Sequence, residues 1–355
     1  MTFEIKEINP ELGFSLAGFA DAEGSFNFSF LIQNKKTKRE SWKIRPCFNI
    51  CQKESEVLTY FSTLFGCGTL ITNEKTKVTT FSVTSIKDLC EKIVPFFKRF
   101  PFESAKKKRD LSNFIQVLEI LNKPGEVTRV DLERVLALRI NTESIVRNRT
   151  YTDQYLIDNW PETIVVEEIN KSPETTTPKS ESVINTQNDM IESDLYRNVK
   201  AENALKFYIA GFADGDGSFN VGFRKREDYL TGWKITPSFS IAQRDQPLLN
   251  RFKDELECGN VRSGSSEGIF YLEVSNQKDL REKIIPFFQK YRLLSKMNKE
   301  RFDNFSRTLE ILGKAPTYSR LDLVEILQLQ RTGGGKGRFT VEEILARFDD
   351  FSKKT

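Results

Sequence analysis

The chain has 355 residues, 54 Lys and Arg against 50 Asp and Glu, and no histidine. At roughly 150 residues per domain this length suggests two domains, each able to bury a core, and the mixed composition describes a globular protein. The missing histidine excludes Ser-His-Asp and Cys-His nucleophilic systems, imidazole bases and imidazole-ligated metals, so any hydrolysis must run on carboxylates, lysines, hard cations or water.

In chain order, Asn9 and Pro10 read as the cap and first position of a helix over Pro10–Ala22. Strict alternation then predicts strands over Phe26–Ile32 and Trp42–Ile50. A helix over Glu54–Phe65, a hairpin over Leu70–Val83 and helices over Ile86–Phe97 and Lys106–Leu121 follow. This order, αββαββα, predicts an α+β domain around a four-stranded sheet.

The order then repeats. Leu16-Ala-Gly-Phe-Ala-Asp-Ala-Glu-Gly24 returns as Ile209-Ala-Gly-Phe-Ala-Asp-Gly-Asp-Gly217, and Trp42-Lys-Ile-Arg-Pro46 as Trp233-Lys-Ile-Thr-Pro237. Lys87-Asp-Leu-Cys-Glu-Lys-Ile-Val-Pro-Phe-Phe97 returns as Lys278-Asp-Leu-Arg-Glu-Lys-Ile-Ile-Pro-Phe-Phe288, and Leu118-Glu-Ile-Leu121 as Leu309-Glu-Ile-Leu312. We read two copies of one domain, 1–150 and 203–355, joined by a linker over 151–202. Asn170–Ser193 is rich in Thr, Ser, Pro, Glu and Asn, a composition that cannot bury enough apolar surface to fold alone. The result is a monomer acting as a tethered pseudo-dimer. Pro161–Asn203 carries nine acids and four bases, so the remainder of the chain stands near +9 and suits a polyanion.

Five cysteines (Cys47, Cys51, Cys67, Cys90, Cys258) form no zinc set and read as reduced thiols in an intracellular, reducing compartment. The N-terminus lacks the pattern of a signal peptide, and no apolar run approaches the roughly 18 residues of a membrane span, so no membrane partner is expected. Gly333-Gly-Gly-Lys-Gly-Arg338 lacks the Gly-Lys-Ser/Thr ending of a phosphate loop and reads as a basic loop.

The chemical signal lies where the repeated helix ends. Asp21 and Glu23 precede Gly24, and Asp214 and Asp216 precede Gly217, at the end of a helix where negative charge is disfavoured. Gly18 with Ala22 and Gly211 with Gly215 leave a small-residue face through which two helix backbones can approach. Packed side by side, the two helices would bring their terminal carboxylates together as oxygen ligands for Mg²⁺ or Ca²⁺.

These two motifs, each followed by Ser-Phe, a strand pair, a Pro-Phe-Phe helix and a Leu-Glu-Ile-Leu helix, resemble the LAGLIDADG homing endonucleases in their single-chain, two-motif form. The resemblance implies two pseudo-two-fold related domains whose antiparallel sheets form a DNA-binding saddle. Glu23 and Asp216 would be the catalytic metal ligands, with Ala22 and Gly215 offering main-chain carbonyls; one motif has Glu where the other has Asp. It also implies a glutamine and a lysine in each half. Gln52 and Gln243 occupy matching places; Lys106 and Lys296 are the lysine candidates, although repeat alignment pairs Lys108 with Lys299. The implied cofactor is Mg²⁺, with Mn²⁺ or Ca²⁺ able to occupy the same sites. The implied reaction is a double-strand break at a long asymmetric target, leaving short 3′ overhangs.

The polar parity of the strands supplies DNA-facing candidates. In the first half these are Asn27, Ser29, Gln33, Lys43, Arg45, Asn49, Asn73, Thr80 and Ser82, with Lys35 and Lys36 on the hairpin for phosphates. In the second they are Asn220, Arg224, Arg226, Lys234, Thr236, Ser238, Ser240, Arg262 and Glu273. A maturase binding its intron RNA, and a catalytically silent DNA-binding protein of the same fold, remain the alternatives. By resemblance the protein is intron-encoded, with a mitochondrial or other organellar setting open.

Overall fold

In the computed structural model the described residues are 4–33, 41–140, 151–160, 203–229, 231–314, 318–332 and 338–352. The first half begins with helix α1 (Pro10–Glu23), capped by Asn9, whose Oδ1 accepts from Glu11 N at 2.9 Å. Strands β1 (Gly24–Gln33) and β2 (Ser41–Gln52), helix α2 (Glu56–Phe65) and strands β3 (Thr69–Asn73) and β4 (Val78–Val83) follow. Helices α3 (86–99) and α4 (Ala105–Leu121) complete the expected order. Helix α1 runs one residue further than its sequence suggested and ends on Glu23.

The second half repeats this with α7 (Ala204–Asp216), β5 (Gly217–Lys225), β6 (Trp233–Gln243), α8 (Gln246–Leu256), β7 (Asn260–Ser263), β8 (Phe270–Val274), α9 (277–290) and α10 (Lys296–Gly313). Each half holds an antiparallel four-stranded sheet, ordered β1-β2-β4-β3 and β5-β6-β8-β7. The protein is α+β, two pseudo-two-fold related domains. In both halves the helix after the second hairpin contains a π turn, Leu89–Ile93 and Leu280–Ile284, just before Pro95 and Pro286. Proline cannot donate to the turn before it, and the wider turn absorbs that mismatch.

Each half also adds helices that the sequence reading did not place: α5 (Arg129–Ile140) and α6 (Asp153–Asn159), then α11 (Arg320–Thr332) and α12 (Val341–Ser352). They cover the far end of each sheet, around Trp42 and Trp160 in one half and Trp233 in the other. Each half fixes one indole on a carbonyl: Trp160 Nε1 donates to Val127 O at 2.9 Å, and Trp233 Nε1 to Ile344 O at 3.0 Å.

The two halves meet through α1 and α7. Both are apolar around most of their circumference, as befits helices buried on all sides. A Cβ on Gly18 would stand 2.0 Å from Tyr208 O, and one on Gly211 would stand 1.8 Å from Ser15 O. The backbones are therefore in contact, and only glycine fits at either crossing. The pair of helices belongs to one continuous core shared by both sheets.

The flanking helices are capped across this junction. Ala105 N, at the start of α4, donates to Asp245 Oδ2 at 2.8 Å. In return, Lys296 N and Met297 N, at the start of α10, donate to Glu56 Oε2 at 2.9 Å and Glu54 Oε2 at 3.1 Å. Each half thus satisfies orphan helix donors of the other. Among the described residues no helix is long and apolar enough to cross a membrane.

Candidate active site

The parallel packing of α1 and α7 brings their last residues together. A Cβ on Gly215 would lie 2.6 Å from Ala22 Cβ and 3.0 Å from Glu23 Cγ. Glu23 and Asp216 therefore converge at the junction between the halves, each followed at once by the first residue of a sheet. The Glu23 carboxyl is pushed up to about 7, by burial first and then by the charge of Asp216. Gln52, at the end of β2, hydrogen-bonds Glu23 and pulls the other way, as does the charge of Lys107. Asp216 is pushed up to about 6 by burial, against the Gln243 amide that donates to it and the Lys107 charge. Two half-buried acids without full compensation form an electrostatic sink for a cation.

The other acid of each motif does different work. Asp21 accepts from Glu103 N at 3.2 Å, Ser104 N at 2.9 Å and Ser104 Oγ; Asp214 accepts from Ser295 N at 2.8 Å, and from Leu294 N and Ser295 Oγ. Both carboxylates thus anchor the N-terminus of the long helix that follows, α4 or α10, to the motif helix of the same half. Tyr208, from the second half, also donates to Asp21 and accepts from Glu103 N at 2.8 Å.

The lysines are placed differently from the sequence expectation. Lys106 and Lys296 are exposed on their helices, as are Lys108 and Lys299. Of the lysines at the start of α4 the buried one is Lys107, 7% exposed, whose Nζ donates to Gly24 O and whose charge acts on Glu23 and Asp216. Burial lowers its affinity for a proton, while Asp21, Asp110 and Asp216 sustain the charged form. Its signal in the sequence is spacing, since Lys107, Leu111, Phe114 and Leu118 share one helical face.

Ala22 and Gly215 stand beside the acids, at the ends of their helices. Among the described residues no group of three or more His, Cys, Asp or Glu gathers anywhere as a cage for metal. A cation here would rely on two carboxylates, main-chain oxygens and ligands from outside the protein. That donor set is all oxygen, matching the preference of Mg²⁺, Mn²⁺ and Ca²⁺.

Each sheet turns one face to its helices and leaves the other open. Register places Asn27, Ser29, Lys43, Arg45, Asn49, Thr80 and Ser82 on the open face, alternating with buried Phe26, Phe30, Ile44, Phe48, Phe81 and Val83. Asn73 shares the face, but its Oδ1 accepts from Lys75 N at 3.0 Å and Thr76 N at 3.1 Å and so shapes the turn. Asn220, Arg224, Lys234, Thr236, Ser238, Ser240, Arg262 and Glu273 occupy the open face of the second sheet. Arg226 lies one residue past β5 and is paired with Asp228. Lys35 and Lys36 fall outside the described residues, as do the side chain of Gln33, most of the linker and 333–337 of the basic loop. Sequence parity missed Ile71, 64% exposed on the open face of β3.

Comparison with known proteins agrees with this geometry. A family model described as LAGLIDADG endonuclease matches residues 16–118 and 209–306. The chain is 26% identical over 293 residues to the probable intron-encoded DNA endonuclease 1 of Mycosarcoma maydis, covering 77% of this chain and 91% of that protein. The solved structure of the I-SmaMI LAGLIDADG homing endonuclease bound to cleaved DNA superposes with a TM-score of 0.70 at 25% identity, covering 94% of this chain and 99% of that one. I-SmaMI bound to uncleaved DNA target in the presence of calcium ions has the same TM-score at 24% identity, covering 93% and 100%. The repeated motif and the paired sheets are thus those of known proteins, and the chain belongs to the LAGLIDADG endonuclease family.

Proposed function

We propose that the protein is a site-specific DNA endonuclease that cuts both strands of a long asymmetric duplex target in a divalent-metal-dependent reaction, leaving short 3′ overhangs. The observation that carries this reading is the meeting of Glu23 and Asp216 at the junction of two open sheet faces. Two sheets facing one way, with polar side chains in alternation, suit the major groove on either side of the cut. The neighbour solved with DNA and calcium ions supports both the partner and a hard cation. Domains 1–150 and 203–355, joined by 151–202, would act as one monomer. The intron-encoded naming of a relative supports an intron-borne gene here as well.

Glu23 and Asp216 would hold the cation, with the carbonyls of Ala22 and Gly215. Mg²⁺ bound there, or Mn²⁺ in its place, would supply positive charge that acidifies water and steadies the leaving oxygen of the phosphodiester. Gln52 and Gln243 hold the two carboxylates in place, each from the end of a β-strand. Lys107 adds a buried positive charge beside Gly24 and offsets negative charge that grows on the phosphate. With no histidine present, proton transfer falls to solvent.

The test uses duplex libraries incubated with the protein, with and without Mg²⁺. Glu23→Gln and Asp216→Asn are expected to retain DNA binding and lose cleavage. Variants that still cut would refute the assignment.

A further inference from the structure

The two open faces are pseudo-symmetric in backbone and opposite in chemistry at one matched place. In the first half Ile71 lies opposite Thr80, and Thr80 opposite Cys51, across three strands. Cys51 Sγ and Thr80 Oγ1 are 3.3 Å apart and occupy each other, which leaves the aliphatic Ile71 as the reaching group of that row. In the second half the same place belongs to Arg262, opposite Tyr271, which is in turn opposite Ala242. Arg262 Nε donates to Glu273 Oε2 at 2.8 Å, and its guanidinium lies 5.1 Å from the centre of the Tyr271 ring. Among the described residues, neither terminal nitrogen of this guanidinium has a hydrogen-bond partner.

These are two different reading heads. An exposed isoleucine on a polar face can discriminate base pairs only by apolar contact, and the major groove offers one apolar group, the thymine methyl. A guanidinium steadied through Nε and backed by an aromatic ring presents its terminal fork, which matches O6 and N7 of guanine. The geometry points to Ile71 as a specificity-determining residue for a thymine in one half-site, and to Arg262, positioned by Glu273 and Tyr271, as the reader of a guanine at the matching step of the other. This deepens the endonuclease reading and rests on it. It also makes the target non-palindromic at that step.

The full chain is used with a target recovered from a randomised duplex library, and binding is read in Ca²⁺. The contacted positions are those whose base preference changes with Ile71→Ser and with Arg262→Ala. Replacing the thymidine by deoxyuridine, which removes only the methyl, is expected to weaken wild-type binding several-fold and leave Ile71→Ser unaffected. Replacing the guanine by 7-deazaguanine is expected to weaken wild type about ten-fold and leave Arg262→Ala unaffected. Glu273→Gln should relax the guanine preference while general affinity holds. A target whose preferences ignore Ile71, or deoxyuridine bound as well as thymidine, would overturn the inference while site-specific binding stands. Failure to bind any duplex would overturn the endonuclease reading together with it.

Discussion

Asn298 holds in the second half the position that Lys107 holds in the first. Both follow an N-capping serine by three residues, Ser104 at the start of α4 and Ser295 at the start of α10. Lys107 reaches Gly24 O, whereas Asn298 Nδ2 donates to Asp214 O at 2.7 Å and Asp214 Oδ1 at 3.0 Å. The difference is coupled to a second one. Asp21 has Tyr208 to donate to it, but the residue matching Tyr208 in the first half is Ser15, and Asp214 draws on Asn298 instead. At matched places the first half therefore carries a buried lysine and the second a half-buried neutral amide.

If lysine offsets charge at the reacting phosphate, the strands are cut at unequal rates. A duplex labelled differently on its two strands should show a nicked intermediate, always on the same strand, before the double-strand break. Lys107→Met should slow the favoured strand by roughly 100-fold with binding in Ca²⁺ retained. Equal rates on the two strands of wild type would refute this.

The paired acids carry a pH dependence whose sign can be worked out. Glu23 and Asp216 hold their protons more tightly when folded, at about 7 and about 6, than as free side chains. Their contribution to stability is present below their unfolded values and is lost as pH rises through 6 to 7. Metal-free protein should therefore gain melting temperature at pH 8, relative to pH 5, when both are replaced by Gln and Asn. Mg²⁺ should raise the pH 8 melting temperature of wild type and leave that of the double variant unchanged. Calorimetry across this range checks both.

The helix crossing leaves no room for a methyl group. Gly18→Ala and Gly211→Ala each drive a Cβ into a carbonyl oxygen of the opposing helix, so the helices must separate. Each is expected to cost about 3 kcal/mol or more, against about 0.5 kcal/mol or less for Glu300→Ala, exposed on α10. Denaturant titration separates the two classes.

Cys51 is exposed on the open face of β2, whereas Cys258 is buried. Brief treatment with a bulky maleimide should label Cys51 ahead of Cys258 and abolish binding to the target. Bound duplex should protect Cys51. Peptide mass mapping with and without DNA reads the outcome, and Cys51→Ser should bind DNA after the same treatment.

The repeat made most of the architecture legible. Strict alternation in Phe26–Ile32 and Trp42–Ile50 fixed which side chains share a face, and register confirms that parity. The acids were legible because carboxylates ending an apolar helix oppose its dipole. Lys107 was not, because three consecutive lysines look alike until the phase of α4 is set by Phe114 and Leu118. Tyr208 and Asn298 were hidden for a different reason: their roles depend on contacts some 80 to 190 residues away in sequence. Helix α5 shows weak apolar periodicity, and all four added helices lie beyond the last repeated motif and pack around the tryptophans they cover. Ile71 was passed over because parity was used to collect polar groups, and a reader of methyl groups is apolar.

The exchange of caps at Asp245, Glu54 and Glu56 has a consequence for divergence after duplication. A half cut free would expose α1 or α7 along its length and leave a long helix with unpaired donors where its chemistry begins. Each copy thus relies on the other to bury its motif helix and to cap its long helix. That mutual dependence also grants a freedom, since two copies bound for good need no longer match. Tyr208 can face Ser15, Lys107 can face Asn298, and an isoleucine can read one side of a site whose other side is read by an arginine. A chimaera that borrows a half from a relative should carry these capping acids with it, whatever recognition surface it is built to exchange.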